Sequence, residues 1–386
     1  MSTILVRPDG YTLPTGQWVG SGDPLTGAIK RAQDGDVVGA TSGYFRRCGP
    51  FGKVQHSRPV EIWGTAASHW TPESTTVLRD PSVGSTDAII FGPQDGGYDL
   101  YQLCFQADDR AGVKTTKNVG SHLHFTRCAV AGFGPGPTDP TWTDHTKWGW
   151  HFYDTSDLVL RDCETSSIYG EHGIYGHGMN GDHHIIGGSV RWCFRTAVQW
   201  VCRMTGTDPQ PHACVGDFTI ENLFVEDVCL EDGGGGSALT FRGGMPNTVV
   251  TVKGTIIRQG CNPAIAAPFN KSVTGCFVVD SAADAWPGGT KELHVQNCVF
   301  EIGLAYPGAG NARRSNVKLS DVGQVWFLGS QIINHPGAHP IALEIGQNVG
   351  LLKIDASTLI VGRIKFHGTE YPDQAAFKAA HPECFF

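Results

Sequence analysis

A short strand pattern that recurs along the chain constrains the fold most. Each copy alternates apolar with variable residues and then has a small or amide residue, a small core residue and one more apolar position. The segment Phe218-Thr-Ile-Glu-Asn-Leu-Phe-Val225 is a clear copy. Repetition at this interval is typical of a solenoid. Copies begin 25 to 43 residues apart, at Tyr98, Leu123, Leu158, His184, Phe218, Val250, Leu293, Val325 and Leu352.

A second short strand alternates with the first. Alternation with a period of two puts one set of side chains inside and the other outside. No apolar stripe of helix length separates these strands, which argues against β-α-β units. The sequence therefore predicts strands stacked lap on lap, two in each lap, with polar Gly-rich corners. Copies of the second strand begin at Gly149, Gly173, Ala197, Ala238, Gly275 and Ala342, and the first three are 24 residues apart.

Short helices are expected at both ends of the solenoid. Asp23-Pro24 is a typical helix start, with an N-cap and a proline in the first turn. Residues 371–380 predict a second short helix. Such helices would cover the core and the strand edge that an open solenoid exposes. We predict an N-terminal segment with its capping helix, the solenoid and a C-terminal capping tail, at residues 1–48, 49–365 and 366–386.

The strand repeat, with the His172–Tyr175 sequence HGIY and the Asn-Cys, Gly-Ser and Gly-Thr corners, resembles a known superfamily. It is similar to the right-handed parallel β-helix repeat proteins, the pectate-lyase-like solenoids, over about residues 23 to 365. The resemblance implies an all-β fold, a right-handed parallel β-helix of roughly ten laps with short capping helices at the N- and C-terminal ends. It does not imply one activity, because this fold carries many.

Composition and charge exclude several classes of protein. With 29 Lys and Arg against 37 Asp and Glu, the net charge of −8 argues against a nucleic-acid partner. No run approaches the roughly 18 apolar residues of a membrane span. The first residues are too polar for a signal peptide, so we expect a virion or cytoplasm-assembled protein, or a secreted one whose leader has been removed. The 12 Cys include no CxxC pair, and we expect mainly reduced core thiols.

Alignment of the second strands predicts one outward patch. Adjacent laps lie about 4.8 Å apart, so aligned residues become neighbours. A tyrosine, a histidine and an arginine can serve as acid, base and cation in proton abstraction next to a carboxylate. An ordinary polar surface is the alternative, because Tyr and His also stack well across strands. The predicted catalytic residues are Tyr175, His177, Arg242, His151 and Tyr153.

Further residues beside this patch are predicted to bind substrate. An insertion ahead of the Trp150 strand carries two more tryptophans, and the apolar face of a sugar packs well on such rings. A loop pinned by its own tryptophans is the alternative. The predicted substrate-binding residues are Trp142 and Trp148 in the insertion and Glu171, His172, Asp182 and His183 at the flanking corners.

Acidic corners offer another chemistry. Paired carboxylates hydrolyse glycosides when they stand about 5 Å or 6.5–9.5 Å apart, and such corners also bind hard cations. Calcium is therefore the one cofactor that the sequence suggests, without a defined set of metal ligands. The acidic residues in question are Asp154 and Asp157 at one corner and Glu226, Asp227, Glu231 and Asp232 at another.

Three hypotheses about function follow. The first is a carbohydrate-engaging phage tail spike or minor tail protein that binds or degrades cell-surface polysaccharide, as a homotrimer or within a virion. The second is a free polysaccharide lyase or C5-epimerase that acts on uronate polymers through Tyr175, His177 and Arg242. The third is a non-catalytic structural solenoid of a larger assembly. If the chain is an enzyme, we expect a polysaccharide lyase or a glycoside hydrolase.

Overall fold

The chain forms two compact units, residues 1–189 and residues 190–386, and each is described by itself. Each unit is a stretch of right-handed parallel β-helix built from three sheets, A, B and C. The computed structural model describes residues 2–46, 55–65, 75–78, 87–92, 96–107, 110–115, 122–131, 146–179, 181–201, 216–229, 237–242, 248–260, 275–280, 289–303, 315–335 and 341–386.

The described residues of the first unit form one helix and the strands β1 to β18. Sheet A has the order β3-β2-β1-β4-β6-β9-β12-β15-β18, sheet B the order β16-β13-β10-β7-β5, and sheet C the order β17-β14-β11-β8. The elements are β1 (Thr3–Arg7), β2 (Gly10–Thr12), β3 (Trp18–Gly20), α1 (Pro24–Ile29), β4 (Val37–Ala40), β5 (Gly43–Arg46), β6 (Gln55–Trp63), β7 (Thr75–Leu78), β8 (Ile89–Phe91), β9 (Gly96–Tyr101), β10 (Leu103–Gln106), β11 (Ala111–Thr115), β12 (Leu123–Thr126), β13 (Ala129–Ala131), β14 (Trp148–Tyr153), β15 (Leu158–Arg161), β16 (Glu164–Ile168), β17 (Ile174–His177) and β18 (His183–Ile186).

The second unit repeats this arrangement. Its sheet A has the order β21-β24-β27-β30-β33, sheet B the order β34-β31-β28-β25-β22-β19, and sheet C the order β36-β35-β32-β29-β26-β23-β20. The elements are β19 (Ser189–Cys193), β20 (Val198–Val201), β21 (Phe218–Glu221), β22 (Phe224–Glu226), β23 (Leu239–Arg242), β24 (Val249–Lys253), β25 (Ile256–Gln259), β26 (Phe277–Asp280), β27 (Thr290–Gln296), β28 (Val299–Ile302), β29 (Val317–Leu319), β30 (Val322–Leu328), β31 (Gln331–Asn334), β32 (Ile341–Ile345), β33 (Leu351–Ile354), β34 (Leu359–Val361), β35 (Arg363–Phe366), β36 (Thr369–Tyr371), α2 (Gln374–Ala380) and a 3-10 turn (Pro382–Cys384).

The predicted strand repeat is confirmed in its register. In the first unit Tyr98, Leu123 and Leu158 are partners across sheet A. In the second unit the ladder places Phe218, Val250, Leu293, Val325 and Leu352 side by side. All eight side chains are buried. The copy beginning at His184 is wrong by one residue, because His183 is the partner of Leu158.

From β6 onward, each lap holds three strands within the described residues, rather than the two that the sequence predicted. The repeat bends at its small or amide position, so its last residues form a separate strand of sheet B. The bending residue has a left-handed backbone, which Gly, Asn and Asp adopt most readily. That conformation explains the composition of this position. The φ values are 51° at Asp162, 55° at Asn222, 52° at Asn297, 58° at Gly254 and 59° at Gly329.

Gly254 gives the first testable prediction. Its φ is +58°, and an added Cβ would lie 2.2 Å from Oδ1 of Asn222. The left-handed backbone alone costs about 1–2 kcal/mol in a residue with a side chain. We expect Gly254→Ala to lower the free energy of unfolding by about 1–3 kcal/mol in urea denaturation. Gly39→Ala is the control, because a Cβ there meets nothing within 4 Å. Equal losses in the two variants would contradict this explanation.

Aromatic side chains fill the core of both units. Trp150 and Trp200 are fully buried, as the alternation predicted. In the first unit the Trp150 ring lies 5.0 Å from that of Phe125. Its indole nitrogen donates to Oγ1 of Thr165 at 2.9 Å. In the second unit the Trp200 ring lies 4.3 Å from that of Phe218.

The cysteines belong to this core. Within the described residues, eight cysteines are buried and free of disulfides: Cys104, Cys128, Cys163, Cys193, Cys229, Cys276, Cys298 and Cys384. Burial raises the pKa of the Cys128 thiol to about 12. The prediction of reduced structural thiols is confirmed for these eight.

Helices cover the chain near both ends, as predicted. The Asp23 side chain accepts from the backbone N–H of Thr26 at 3.4 Å and so caps α1, which packs on β1, β2 and β4. The Asp373 side chain caps α2 in the same way through Ala376, at 2.8 Å. Strand structure already begins at Thr3, because β1 pairs in parallel with β4. The predicted domain boundaries and number of laps stay predictions. No helix of the described residues is long and apolar enough to cross a membrane.

Candidate functional site

The candidate site lies on the outer face of sheet C in the first unit. Strand β14 pairs with β17, so His151 stands beside Tyr175, and Tyr153 stands beside His177. On the other side of β14, Lys114 of β11 stands beside His151. The intervening positions point inward, and Trp150 is among them. Three successive laps therefore contribute polar side chains to one patch.

Six rings form a continuous group, which we call the ring cluster: Trp148, His151, Tyr153, His172, Tyr175 and His177. The Trp148 ring stacks on that of His151 with centroids 4.4 Å apart. The Tyr175 ring lies edge-on to His151 at 5.1 Å and stacks on His172 at 5.2 Å. The Tyr153 ring lies 4.5 Å from His151 and 5.4 Å from His177. His151 is thus the centre of the cluster.

The three histidines are buried and the other rings are not. The exposed fractions of His151, His172 and His177 are 6%, 8% and 9%. Trp148, Tyr153 and Tyr175 are half-buried. A molecule that reaches this face therefore meets the tryptophan and the tyrosines first, with the histidines beneath them.

His151 is held in its neutral form. Burial lowers its pKa to about 3, and the positive charges of Lys114, His172 and His177 act in the same direction. The Nε2 atom of His151 has no hydrogen-bond partner among the described residues. A neutral imidazole with a free nitrogen can take up a proton.

The pKa of Tyr153 is shifted in the opposite direction. Burial raises the pKa of its phenol, and the negative charge of Glu171 raises it further. The phenol therefore stays protonated well above neutral pH and can act as a proton donor. The ring cluster thus combines a neutral imidazole with a protonated phenol, whose rings are 4.5 Å apart. Pairs of titratable groups with opposed environments are frequent in active sites.

The neutral state of His151 predicts a pH dependence of stability. Its folded pKa of about 3 lies below the ordinary value of 6.5. Between these values only the unfolded chain binds the proton. The contribution of neutral His151 to stability is therefore fully present above pH 6.5 and is lost as the pH falls towards 3. The free energy of unfolding should fall by up to about 1.4 kcal/mol per pH unit in that range. His151→Gln should flatten this slope in urea titrations, and an unchanged slope would contradict the assignment.

The other predicted residues are placed as follows. Glu171 lies at the edge of the ring cluster, with a carboxylate oxygen 3.8 Å from Nε2 of His172. Arg242 belongs to the second unit, where it is the last residue of β23. In the strand register of sheet C it stands between Val201 and Asp280. Trp142 lies outside the described residues. The proposed roles of all these residues stay predictions.

His183 is not at a corner of the patch, which corrects the sequence analysis. It lies in β18 of sheet A, points inward and is 3% exposed. Burial lowers its pKa to about 4. The corner before β19 has two glycines with left-handed φ, Gly187 and Gly188, where other laps have one such residue. The predicted pattern was aligned on Gly188 and Ser189, whereas Gly187 stands beside Asp162 at the bend, so the predicted phase was one residue late. Its neighbour Asp182 is exposed.

Lys114 was missed by the sequence analysis. Its Nζ lies 3.6 Å from a carboxylate oxygen of Asp87, and its side chain is 35% exposed. It supplies a cation to the patch from within the first unit. The alternation Ala111-Gly-Val-Lys-Thr115 is the pattern that could have revealed it, but the alignment of second strands began at Gly149.

The acidic corners differ from each other. Asp227 is fully buried, and its Oδ1 accepts from the backbone N–H of Gly260 at 2.9 Å. That residue therefore stabilises a turn, while Glu231 and Asp232 lie outside the described residues. Asp157 of the other corner contacts two histidines of sheet A. The predicted calcium is not tested by these contacts.

Three parallel sheets stacked lap on lap define a parallel β-helix protein, and the fold fits the pectate-lyase-like class. No family model matches the sequence, and no curated protein matches it.

Solved structures show a loose likeness. An alginate lyase from Paenibacillus sp. str. FPU-7 is 11% identical with a TM-score of 0.42, over 89% of this chain and 95% of that one. The A-module of the mannuronan C-5 epimerase AlgE6 from Azotobacter vinelandii is 13% identical with a TM-score of 0.44, over 88% and 84%. The assignment of the fold class rests on the sheets themselves.

Proposed function

We propose that the chain is a polysaccharide lyase or C5-epimerase that acts on a uronate polymer at the ring cluster. The observation that carries this proposal is the neutral, buried His151 beneath two half-buried tyrosines. Lys114 in the adjacent lap adds a cation. Proton abstraction next to a carboxylate requires these three kinds of group.

The first step is removal of the proton at C5 of a uronate. Tyr175 is half-buried and can touch the sugar, so we assign its phenol oxygen to accept the C5 proton while its own O–H proton passes to His151 behind it. The substrate carboxylate would raise the pKa of His151, because a negative charge favours the imidazolium. Proton uptake is thus coupled to binding of an acidic sugar. Lys114 is suited to stabilise the enediolate charge that develops on the carboxylate.

Two outcomes are open to this enediolate. In elimination the C4–O4 bond breaks, a C4=C5 double bond forms, and the leaving oxygen takes a proton. Tyr153 is the donor we assign to that step, because its raised pKa keeps it protonated. In epimerisation the C4–O4 bond stays intact and C5 receives a proton on its opposite face. Both reactions share the first step, and the proposal covers both.

The ring cluster also offers side chains that can bind the sugar. The half-buried Trp148 ring can pack against the apolar face of a pyranose. Glu171, at the edge of the cluster, can accept from sugar hydroxyls. No described residue favours the tail-spike hypothesis in particular, and a trimer or a virion assembly stays a prediction. The acid, base and cation on one patch support the enzyme hypothesis instead.

A panel of polysaccharides tests the proposal. Purified protein is mixed with uronate-containing and neutral polymers, with and without calcium, and two signals are followed. Ultraviolet absorbance reports unsaturated uronate, and reducing ends report chain cleavage. New unsaturation selects the lyase. Reducing ends without unsaturation would indicate hydrolysis and overturn the proposal. The absence of both signals on every polymer, together with no change of configuration at C5, would also overturn it.

A further inference from the structure

A second group of titratable side chains lies on the outer face of sheet A in the first unit. It contains His122 just ahead of β12 and His124 of β12, with Asp99 of β9 and Asp157 just ahead of β15. The two histidine rings lie face to face, with centroids 3.7 Å apart and planes inclined by 31°. We call this group the sheet A cluster.

Each histidine ring of the sheet A cluster faces both carboxylates. Nε2 of His122 is 2.9 Å from Oδ1 of Asp99, and its Nδ1 is 3.5 Å from Oδ2 of Asp157. Nδ1 of His124 is 3.5 Å from Oδ1 of Asp99, and its Nε2 is 3.2 Å from Oδ1 of Asp157. Asp99 therefore lies at one edge of the stacked rings and Asp157 at the other.

Two of these four contacts are hydrogen bonds that neutral histidines can make, from Nε2 of His122 to Asp99 and from Nε2 of His124 to Asp157. A neutral imidazole has one N–H, so two rings provide two donors for four nitrogen–oxygen contacts. In the other two contacts a nitrogen lone pair would face a carboxylate oxygen. Among the described residues no Lys or Arg forms an ion pair with Asp99 or Asp157. Glu61, directly beside Asp99 in the ladder, adds further negative charge.

We propose that the sheet A cluster binds a divalent transition-metal ion of the zinc class. Asp99, His122 and His124 can each offer one ligand atom, and these atoms lie within 4.8 Å of one another. Two ligands of a tetrahedral zinc ion stand about 3.3 Å apart, given zinc bonds of about 2.0 Å. The spacings of 2.9 Å and 3.5 Å to Asp99 bracket that value. One divalent ion also balances two carboxylates.

Asp157 has a separate part in this site. With the metal at Nε2 of His122 and Nδ1 of His124, each ring keeps its proton on the other nitrogen. Those nitrogens are the ones that face Asp157, at 3.5 Å and 3.2 Å. A carboxylate that accepts from metal-binding histidines fixes their tautomer and their orientation. Asp157 is therefore a positioning residue for both ligand rings.

The chemistry of the ligands selects the kind of ion. Two imidazole nitrogens favour zinc, cobalt, nickel or copper over calcium and magnesium, which prefer oxygen ligands. Three protein ligands leave one position of a tetrahedral ion for water or another molecule. The side chains of Asp99, His122 and His124 are 20%, 29% and 26% exposed, so that position faces solvent.

Zinc binding to the tag-free full chain tests the proposal. Protein stripped with a chelator is titrated with zinc chloride in a calorimeter, and the cobalt complex is followed by its visible absorption. We expect one ion per chain and a tetrahedral cobalt spectrum. Asp99→Ala and His124→Ala should each weaken zinc binding by more than about 100-fold, and Asp157→Asn by about 10–100-fold.

A matched control is available on sheet A of the second unit. His294 also contacts a carboxylate, with Nε2 3.1 Å from Glu292, but no second histidine stacks on it among the described residues. His294→Ala should keep the wild-type affinity, and circular dichroism checks that every variant folds. Failure of the wild type to retain zinc would overturn the proposal. Equal zinc affinity in the wild type and the Asp99→Ala, His124→Ala double variant would also overturn it.

Discussion

We expect the His151→Gln variant to lose the proposed elimination or epimerisation activity by about 10²–10⁴-fold in kcat. Glutamine keeps a polar side chain of similar size but cannot take up a proton near neutral pH. Because His151 is only 6% exposed, the substrate contacts it little, and KM should change much less than kcat. Initial rates on the polymer that the wild type converts give both constants.

A matched control separates chemistry from folding. His184→Gln changes a half-buried histidine of β18, on another sheet of the same unit, and should leave the rate unchanged. Tyr175→Phe should also lose activity, and the double variant with His151→Gln should be little worse than either single variant, since groups that act as a unit are not additive. A folded His151→Gln variant with the wild-type rate would exclude His151 as the proton acceptor.

The second large effect that we expect is a loss of stability when a buried core ring is removed. Trp150→Ala should lower the free energy of unfolding by about 3–5 kcal/mol, because it opens a cavity where a whole indole ring was buried. The variant also removes the hydrogen bond to Oγ1 of Thr165 and leaves that hydroxyl inside. Urea denaturation followed by circular dichroism measures the loss.

Trp18→Ala is the control for this prediction. Trp18 is 45% exposed in β3, and substitutions at such positions usually change stability by less than about 0.5 kcal/mol. The loss of stability in Trp150→Phe should lie between the losses in Trp150→Ala and Trp18→Ala, because phenylalanine keeps part of the ring packing against Phe125. Similar losses in Trp150→Ala and Trp18→Ala would show that the inner rings contribute far less than the fold implies.

The strand pattern predicted much of the fold because burial and backbone geometry act on short stretches of sequence. The inward residues repeat with period two, and the corner residue is constrained by its left-handed φ, as at Asn222 and Asn297. The third strand was missed because it follows a one-residue bend within a single apolar run. The phase error at His184 arose because three small residues follow one another at this corner, Gly187, Gly188 and Ser189, and the pattern was aligned on the last two instead of the first two.

The ring cluster was partly predictable for the same reason. His151, Tyr153, Tyr175 and His177 were aligned correctly because β14 and β17 are equivalent strands separated by one regular lap. Their burial could not be read from the pattern, and neither could the neutral state of His151. Both depend on rings from neighbouring laps, and Trp148 supplies one of them.

The sheet A cluster was beyond the reach of the sequence. Its histidines belong to one short segment, but its carboxylates come from residues 23 and 33 positions away. A metal-binding spacing such as CxxC is local, whereas this arrangement exists only once the register of β9, β12 and β15 is fixed. The resemblance to β-helix proteins gave no indication of it.

Exchange of the C5 hydrogen tests the central claim most directly. A uronate polymer is incubated with the protein in deuterated water, and the deuterium at C5 and the unsaturated product are measured by NMR and mass spectrometry. We predict that the wild type either incorporates deuterium at C5 or forms the C4=C5 product, and that His151→Gln does neither at a comparable rate. A polymer cleaved with its C5 hydrogen fully retained, or no reaction on any uronate polymer, would contradict proton abstraction at the ring cluster.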